Sequence, residues 1–251
     1  MRGTVYAFAN QKGGVGKTTT TINLAACLAE AGERALVVDL DPQANATSGL
    51  GMRANGTSSY DLLDGAPLRE LTRETAFANL DLVPAKPDLA GAVVELAQRA
   101  DGERYLAQAL ASGSDRYEFV FLDCPPSLGP LTVNALAAAD RVLVPVQAEY
   151  YALEGLSQLV HSIELIRRRL NPRLGIGGVL LTMVDGRTRL SQQVEAEVRR
   201  HFGELVFRTA VPRSVRLAEA PSHGLPAVAY DSRSAGADAY WKVAKELVER
   251  A

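Results

Sequence analysis

Lys12-Gly13-Gly14-Val15-Gly16-Lys17-Thr18-Thr19 stands between an apolar run, Val5–Ala9, and a stretch in which Ile22, Ala25, Ala26 and Ala29 recur at helical spacing until Gly32. That order predicts strand, glycine-rich loop, helix. Glycines let the backbone turn tightly enough for successive N–H groups to face inward as an anion nest, and the helix N-terminus adds the positive end of its dipole. Lys17 then supplies a mobile positive charge for outer phosphates, and the Thr18 hydroxyl is an oxygen ligand of the kind Mg²⁺ prefers. The segment Lys12 to Thr19 therefore reads as a P-loop that binds ATP and Mg²⁺.

Further along the chain, Ala35–Val38 reads as a second buried strand, closing a first βαβ unit and running into Asp39-Leu40-Asp41-Pro42. Apolar runs recur at Leu80–Val83, Phe119–Leu122, Val142–Val146 and Val179–Met183. Helical stretches separate them, the clearest carrying Leu153, Leu156, Val160, Ile163, Ile166 and Leu170. This alternation predicts an α/β fold, a mostly parallel twisted sheet with helices on both faces and right-handed crossovers. The expected organisation is one domain over residues 1–251, without internal repeats or low-complexity linkers. Gly49–Ser59, rich in Gly, Asn, Thr and Ser, is the loosest segment and reads as a loop. The last helix places Tyr240, Val243, Ala244, Leu247 and Val248 on one face and stops at Ala251. Its mixed charge favours core packing over membrane binding.

Composition narrows the function classes. At 47% hydrophobic and 22% charged, the chain is ordinary for a globular protein. It has no run of roughly 18 apolar residues, and its start lacks the parts of a secretory signal, so a cytoplasmic location is expected. Cys27 and Cys124 lie far apart in different apolar segments and read as buried small hydrophobes. His161, His201 and His223 lack paired spacing, so a metal other than the nucleotide's own is not expected. Net charge is −2, but residues 1–162 carry 12 Lys+Arg against 19 Asp+Glu, a balance of −7, while residues 163–233 carry 12 Arg against 7 acids, a balance of +5. The second part is the place for a polyanion partner; on charge alone, solvated helix faces account for it equally well.

Two acidic positions bear on the nucleotide. Asp123 ends the run Phe119–Leu122 and precedes Cys124-Pro125-Pro126-Ser127, where a Walker B carboxylate would hold Mg²⁺. Asp41 ends the second strand, and Asp39, two residues earlier, points the same way along extended backbone. The loop itself departs from G-x-x-x-x-G-K-[ST]: Gln11 stands where glycine is usual, and Lys12 opens the loop. In this it resembles the deviant Walker A family, K-G-G-x-G-K-[ST], which includes ParA/Soj partition ATPases, MinD and nitrogenase-type iron proteins. The resemblance implies that Lys12 reaches across a dimer interface to phosphates bound by the other subunit, hence an ATP-dependent sandwich dimer. It also implies that Asp41 orients the attacking water, with Asp39 the runner-up.

Separated blocks bring the resemblance closest to ParA/Soj: Asp39-Leu40-Asp41-Pro42-Gln43-Ala44-Asn45, Leu82-Val83-Pro84-Ala85, Asp123 to Ser127, Leu181 to Thr188 and Val215 to Gly224. A nitrogenase-type iron protein would need cysteines in other contexts, and a MinD-type positioning ATPase would end in a membrane-binding helix. A P-loop ligase or phosphotransferase of the dethiobiotin synthetase type is the alternative from another class. The partition resemblance implies non-specific binding of double-stranded DNA by the ATP-bound dimer, a ParB-type partner that stimulates hydrolysis, and association with the nucleoid. The family's DNA contacts match Arg187 and Arg216, with Arg189 and Arg213 as neighbours. Adenine is expected near Pro212. The alternative for the two arginines is pairing with nearby acids, Asp185 and Glu219.

Overall fold

Runs of valine, leucine and aromatic residues buried on both faces form the centre of the computed structural model, which describes residues 3–149 and 152–250. The expected helix end at Ala251 lies outside the described residues. Among the described residues, seven strands make one sheet: β1 (Thr4–Phe8), β2 (Ala35–Asp39), β3 (Arg73–Glu74), β4 (Leu80–Val83), β5 (Phe119–Asp123), β6 (Arg141–Gln147) and β7 (Gly175–Thr182). Their order is β3-β4-β2-β5-β1-β6-β7, and every pairing is parallel except β3 with β4. The six strands expected from apolar runs are all present. The two-residue β3 is an addition, too short and too charged to give a periodic signal. β7 starts four residues before the expected Val179 because Gly175, Gly177 and Gly178 carry no apolar signal. Gly178 lies under the Phe207 ring, 2.3 Å from where a Cβ would sit.

β1 and β2 do not pair directly. β5 lies between them, so the first crossover spans one strand, and Asp39 is the register partner of Asp123. This puts the end of β1 in the middle of the sheet, with β5 on one side and β6 on the other. Ligands of open α/β sheets bind in such a crevice, beyond the carboxyl ends of the strands.

Alternate residues along each strand enter two cores. On one face Val5, Ala7, Leu36, Val38, Val120 and Leu122 pack under helices 89–98, 105–111, 130–138 and 152–169. On the other, Tyr6, Phe8, Phe119 and Phe121 pack against α1 (Lys17–Glu30) and the helix Ala235–Arg250. The Phe8 and Phe121 rings meet edge to face at 5.3 Å, a favoured aromatic geometry. Almost all of α1 is buried, which explains its small alanines: it is sandwiched between the sheet and the last helix. The Thr20 hydroxyl and the Tyr240 phenol, 3.0 Å apart, join the two helices. No helix among the described residues is long and apolar enough to cross a membrane.

The expected loop after β2 contains more structure than its composition suggests. Asn45–Gly49 forms a helical turn, and Ser58 caps a short helix, Ser59–Leu63, with a capping box. Between them the backbone docks on the chain's second part. Gly51 and Gly224, both at positive φ (73° and 67°), lie back to back, and a Cβ on Gly224 would come within 2.6 Å of Gly51 Cα. Replacing Gly224 with alanine would combine left-handed strain with a backbone clash, costing about 2–4 kcal/mol. Gly224→Ala should therefore lower the melting temperature by roughly 5–10 °C. An unchanged melting temperature in differential scanning calorimetry would contradict this contact.

Candidate nucleotide-binding site

After β1 the chain enters the loop 10–16, which is pinned at both ends. Asn10 Nδ2 donates to Pro145 O at 2.8 Å on β6, and Asn10 Oδ1 accepts the Lys12 N–H at 3.0 Å. At the far end Thr182 Oγ1, on β7, donates to Val15 O at 2.9 Å. Gly14 and Gly16 adopt left-handed backbone, φ 73° and 84°. A side chain at either position would be strained, and this conformation turns successive N–H groups inward. Gly16 is also the N-cap of α1 and no side chain caps it. The first N–H groups of the helix are thus left for an anion.

Lys17, 6% exposed, sends its ammonium to Lys12 O at 3.2 Å. Burial pushes its pKa down, opposed chiefly by the neighbouring Asp123. One residue on, Thr18 Oγ1 donates to Asp123 Oδ2 at 2.7 Å, and Thr21 Oγ1, one turn further, approaches Asp123 Oδ1 at 3.1 Å. Asp123 and Asp39 are both fully buried, and desolvation pushes both carboxyl pKa values up, each raised further by neighbouring carboxylates. A hydroxyl and a carboxylate at 2.7 Å form an all-oxygen pair, the donor chemistry of a hard divalent cation, whose charge would offset the crowding of acids.

β2 ends at Asp39 rather than at Asp41, which lies two residues beyond it, and the two aspartates differ. Asp39 is saturated: Oδ1 accepts the Asp41 N–H at 3.1 Å, and Oδ2 accepts both the N–H and hydroxyl of Thr47, at 2.8 and 2.7 Å. It holds the turn that follows the strand. Asp41 accepts the Gln43 N–H at Oδ1, 2.9 Å. It is 7% exposed, where Asp39 is completely covered.

Lys12 is half exposed and forms an ion pair with Glu149, two residues past the end of β6. Beside the loop lies a cavity of about 190 Å³, whose walls include Gly16, Thr19, Met183, Pro212, Leu217 and Tyr240. Met183 lines it in left-handed backbone, φ 51°, a sparsely populated conformation for a residue with a side chain. Lys12 to Thr19, Asp41, Asp123 and Pro212 thus gather around the ends of β1, β2, β5 and β7.

The four arginines lie on the next segments. Arg213 follows Pro212 and donates its N–H to Val184 O at 3.1 Å, so Val184 lies beside the backbone of Val211 to Arg213. Arg187, 89% exposed, makes a two-pronged pair with Asp185 at 2.9 and 2.8 Å, and its guanidinium holds the Asp185 carboxyl down at about 2. Arg189 opens the helix Arg189–Phe202, capped by Thr188. Arg216, in the helix Val215–Glu219, reaches Glu219 at 2.9 Å and Asp231 at 3.2 Å. Both Arg187 and Arg216 therefore pair with the acids expected as the alternative to DNA. Sequence reasoning missed Thr21, Thr47, Thr182 and Glu149. Only Thr21 had a signal, its three-residue spacing from Thr18 on one helix.

Residues 3–176 match the family described as AAA domain. The sporulation initiation inhibitor protein Soj of Bacillus subtilis is 52% identical over 248 residues, 98% of each chain. The chromosome-partitioning ATPase Soj of Thermus thermophilus is 57% identical over 244 residues, covering 97% of this chain and 95% of its own. Among solved structures, cobyrinic acid a,c-diamide synthase from Mycobacterium smegmatis with bound ATP analogue and magnesium superposes with a TM-score of 0.86 at 38% identity, over 98% of this chain and 95% of that one. With whole-length identity above half to two Soj proteins, and the loop, strand order and buried carboxylates in place, the chain belongs to the ParA/Soj family of chromosome-partitioning ATPases.

Proposed function

We propose that the chain is an ATP-dependent DNA partition protein, a single unit over residues 1–251, that dimerises on binding ATP and hydrolyses it to release DNA. The observation that carries this reading is the junction of two features: an uncapped glycine-rich loop opened by Lys12, and an arginine-bearing segment that forms a wall of the cavity beside it. Thr18 and Asp123 would hold Mg²⁺, which when bound draws negative charge from the β- and γ-phosphates. Lys17 and the N–H groups of Gly13 to Thr19 bind the phosphates. Pro212 packs on the base. Asp41 orients the attacking water, a role better suited to it than to Asp39, whose oxygens are both occupied. Lys12 exchanges Glu149 for phosphates of the second subunit. A ParB-type protein is the expected stimulator, and the expected location is the cytoplasm, on the nucleoid.

DNA binding rests on Arg187 and Arg216. Their pairs with carboxylates are exposed to solvent, which screens them, so a DNA phosphate can replace the carboxylates. Leu217 and Ala218, beside Arg216, line the cavity, which supports nucleotide dependence. The name of the 38% identical structure favours a second reading, an amide-forming ligase. Stimulation of ATP hydrolysis by random-sequence DNA separates the two.

Lys17→Ala should abolish ATP-dependent dimerisation in analytical ultracentrifugation, whereas Lys12→Ala should keep nucleotide binding by the monomer and weaken only the dimer. A Lys17→Ala protein that still dimerises with ATP would defeat the assignment. Asp41→Ala should bind ATP and dimerise but turn over about 10²-fold more slowly, because water positioning acts in the transition state and phosphate contacts act in the ground state. Near-normal turnover in a phosphate-release assay would remove that role.

Each phosphate contact contributes about 0.9 to the slope of log affinity against log salt. Arg216→Glu should leave dimerisation intact, nearly eliminate DNA binding and flatten that slope, and Arg187→Glu should do so less completely. Titration of random-sequence duplex over a salt series, with a non-hydrolysable ATP analogue, reads both. Unchanged affinity and slope in both variants would move the DNA site elsewhere.

A further inference from the structure

Among the described residues, the side chain of Asp123 is held from one side, by α1. Its carboxylate, fully buried at the end of β5, receives Thr18 Oγ1 on Oδ2 at 2.7 Å and Thr21 Oγ1 on Oδ1 at 3.1 Å. Among the described residues these two hydroxyls are the donors its side chain has. Thr18 and Thr21 lie three residues apart on one helix and grip the carboxylate like two fingers. Thr21 is fully buried, and its hydroxyl also lies 3.0 Å from Lys17 O. In an α-helix that carbonyl already accepts the N–H four residues on. The carbonyl does not need the Thr21 hydroxyl, and the carboxylate does.

We propose that Thr21 is a positioning residue for the nucleotide's Mg²⁺: its hydroxyl fixes the plane of the Asp123 carboxylate so that Oδ2 is presented beside Thr18 Oγ1. The proposal rests on the reading of Thr18 and Asp123 as the Mg²⁺ residues. A carboxylate turns easily about its last torsion, which has broad wells, and one hydrogen bond leaves that rotation open. Once the Thr18 oxygen is engaged by a cation, Thr21 is the anchor that still fixes Asp123. A hydroxyl donated to an ionised carboxylate is among the stronger hydrogen bonds, and it adds no charge that would compete with the cation. Groups that orient metal-binding side chains alter metal affinity about 10–100-fold when removed.

The test is a Mg²⁺ titration of the whole chain, following binding of a fluorescent, non-hydrolysable ATP analogue. Thr21→Val keeps the shape of the side chain and removes the donor. It should raise the Mg²⁺ concentration for half-maximal binding about tenfold and leave binding in EDTA at the wild-type level. Thr21→Ser should restore the wild-type titration. Should the valine variant fail to fold, Thr21→Ala is read by the same titration. A wild-type Mg²⁺ midpoint in the donor-less variant overturns the proposal. So does equal weakening with and without Mg²⁺, the mark of a helix-packing role. Asp123→Asn is run in parallel. If it too leaves the Mg²⁺ midpoint unchanged, the Mg²⁺ assignment itself fails; if Asp123→Asn moves the midpoint and Thr21→Val does not, only the role of Thr21 fails.

Discussion

A buried carboxylate held by hydroxyl groups constrains the rest of the site. Asp123 sits at the end of β5, fully covered, with Asp39 level with it on the neighbouring strand. Burying even one such acid is unfavourable unless its oxygens are hydrogen-bonded. The structure meets this requirement by bringing elements to the acids. α1 lends Thr18 and Thr21 to Asp123, and the turn after β2 lends Thr47 and a backbone N–H to Asp39. The start of α1 and the path of the chain after β2 are thereby fixed relative to each other. Lys17, buried against the same group, supplies a nearby positive charge.

This arrangement depends on strand order. Had β1 and β2 paired directly, Asp123 would not lie between the loop and Asp41. With β5 inserted, α1 leaves β1 beside β5, and the chain after β2 arrives on its other side. Beyond Asp41 the backbone passes through the helical turn Asn45–Gly49 to Gly51, which packs against Gly224, five residues past Glu219, the end of the Arg216 helix. The arginine segment thus touches the nucleotide cavity at Leu217 and the post-β2 segment at Gly224.

Much of this was legible in the sequence, for identifiable reasons. The P-loop was readable because its demands, glycines at fixed offsets with lysine and threonine after them, are local. Six strands were readable because strands of a doubly covered parallel sheet are continuous apolar runs. β3 was not, since two charged residues carry no period, and the start of β7 was hidden by glycines whose value lies in contact with Phe207. Nor does any sequence pattern reveal that β5 separates β1 from β2, because strand order is set by long-range packing. The missed site residues share this origin. Thr47, Thr182 and Glu149 act through partners 8, 167 and 137 residues away, beyond any local motif. The split between Asp39 and Asp41 was invisible for the same reason. Both were strand-end acids until burial and hydrogen bonding made one structural and left the other available.

The central claim is that ATP converts this chain from a monomer into a dimer that binds DNA. Sedimentation velocity of the wild-type chain tests it most directly, run with no nucleotide, with a non-hydrolysable ATP analogue and Mg²⁺, and with both plus a random-sequence duplex. The account predicts a monomer in the first run, a dimer in the second, and a faster boundary carrying both protein and DNA absorbance in the third. A sedimentation coefficient that stays the same in all three would contradict it.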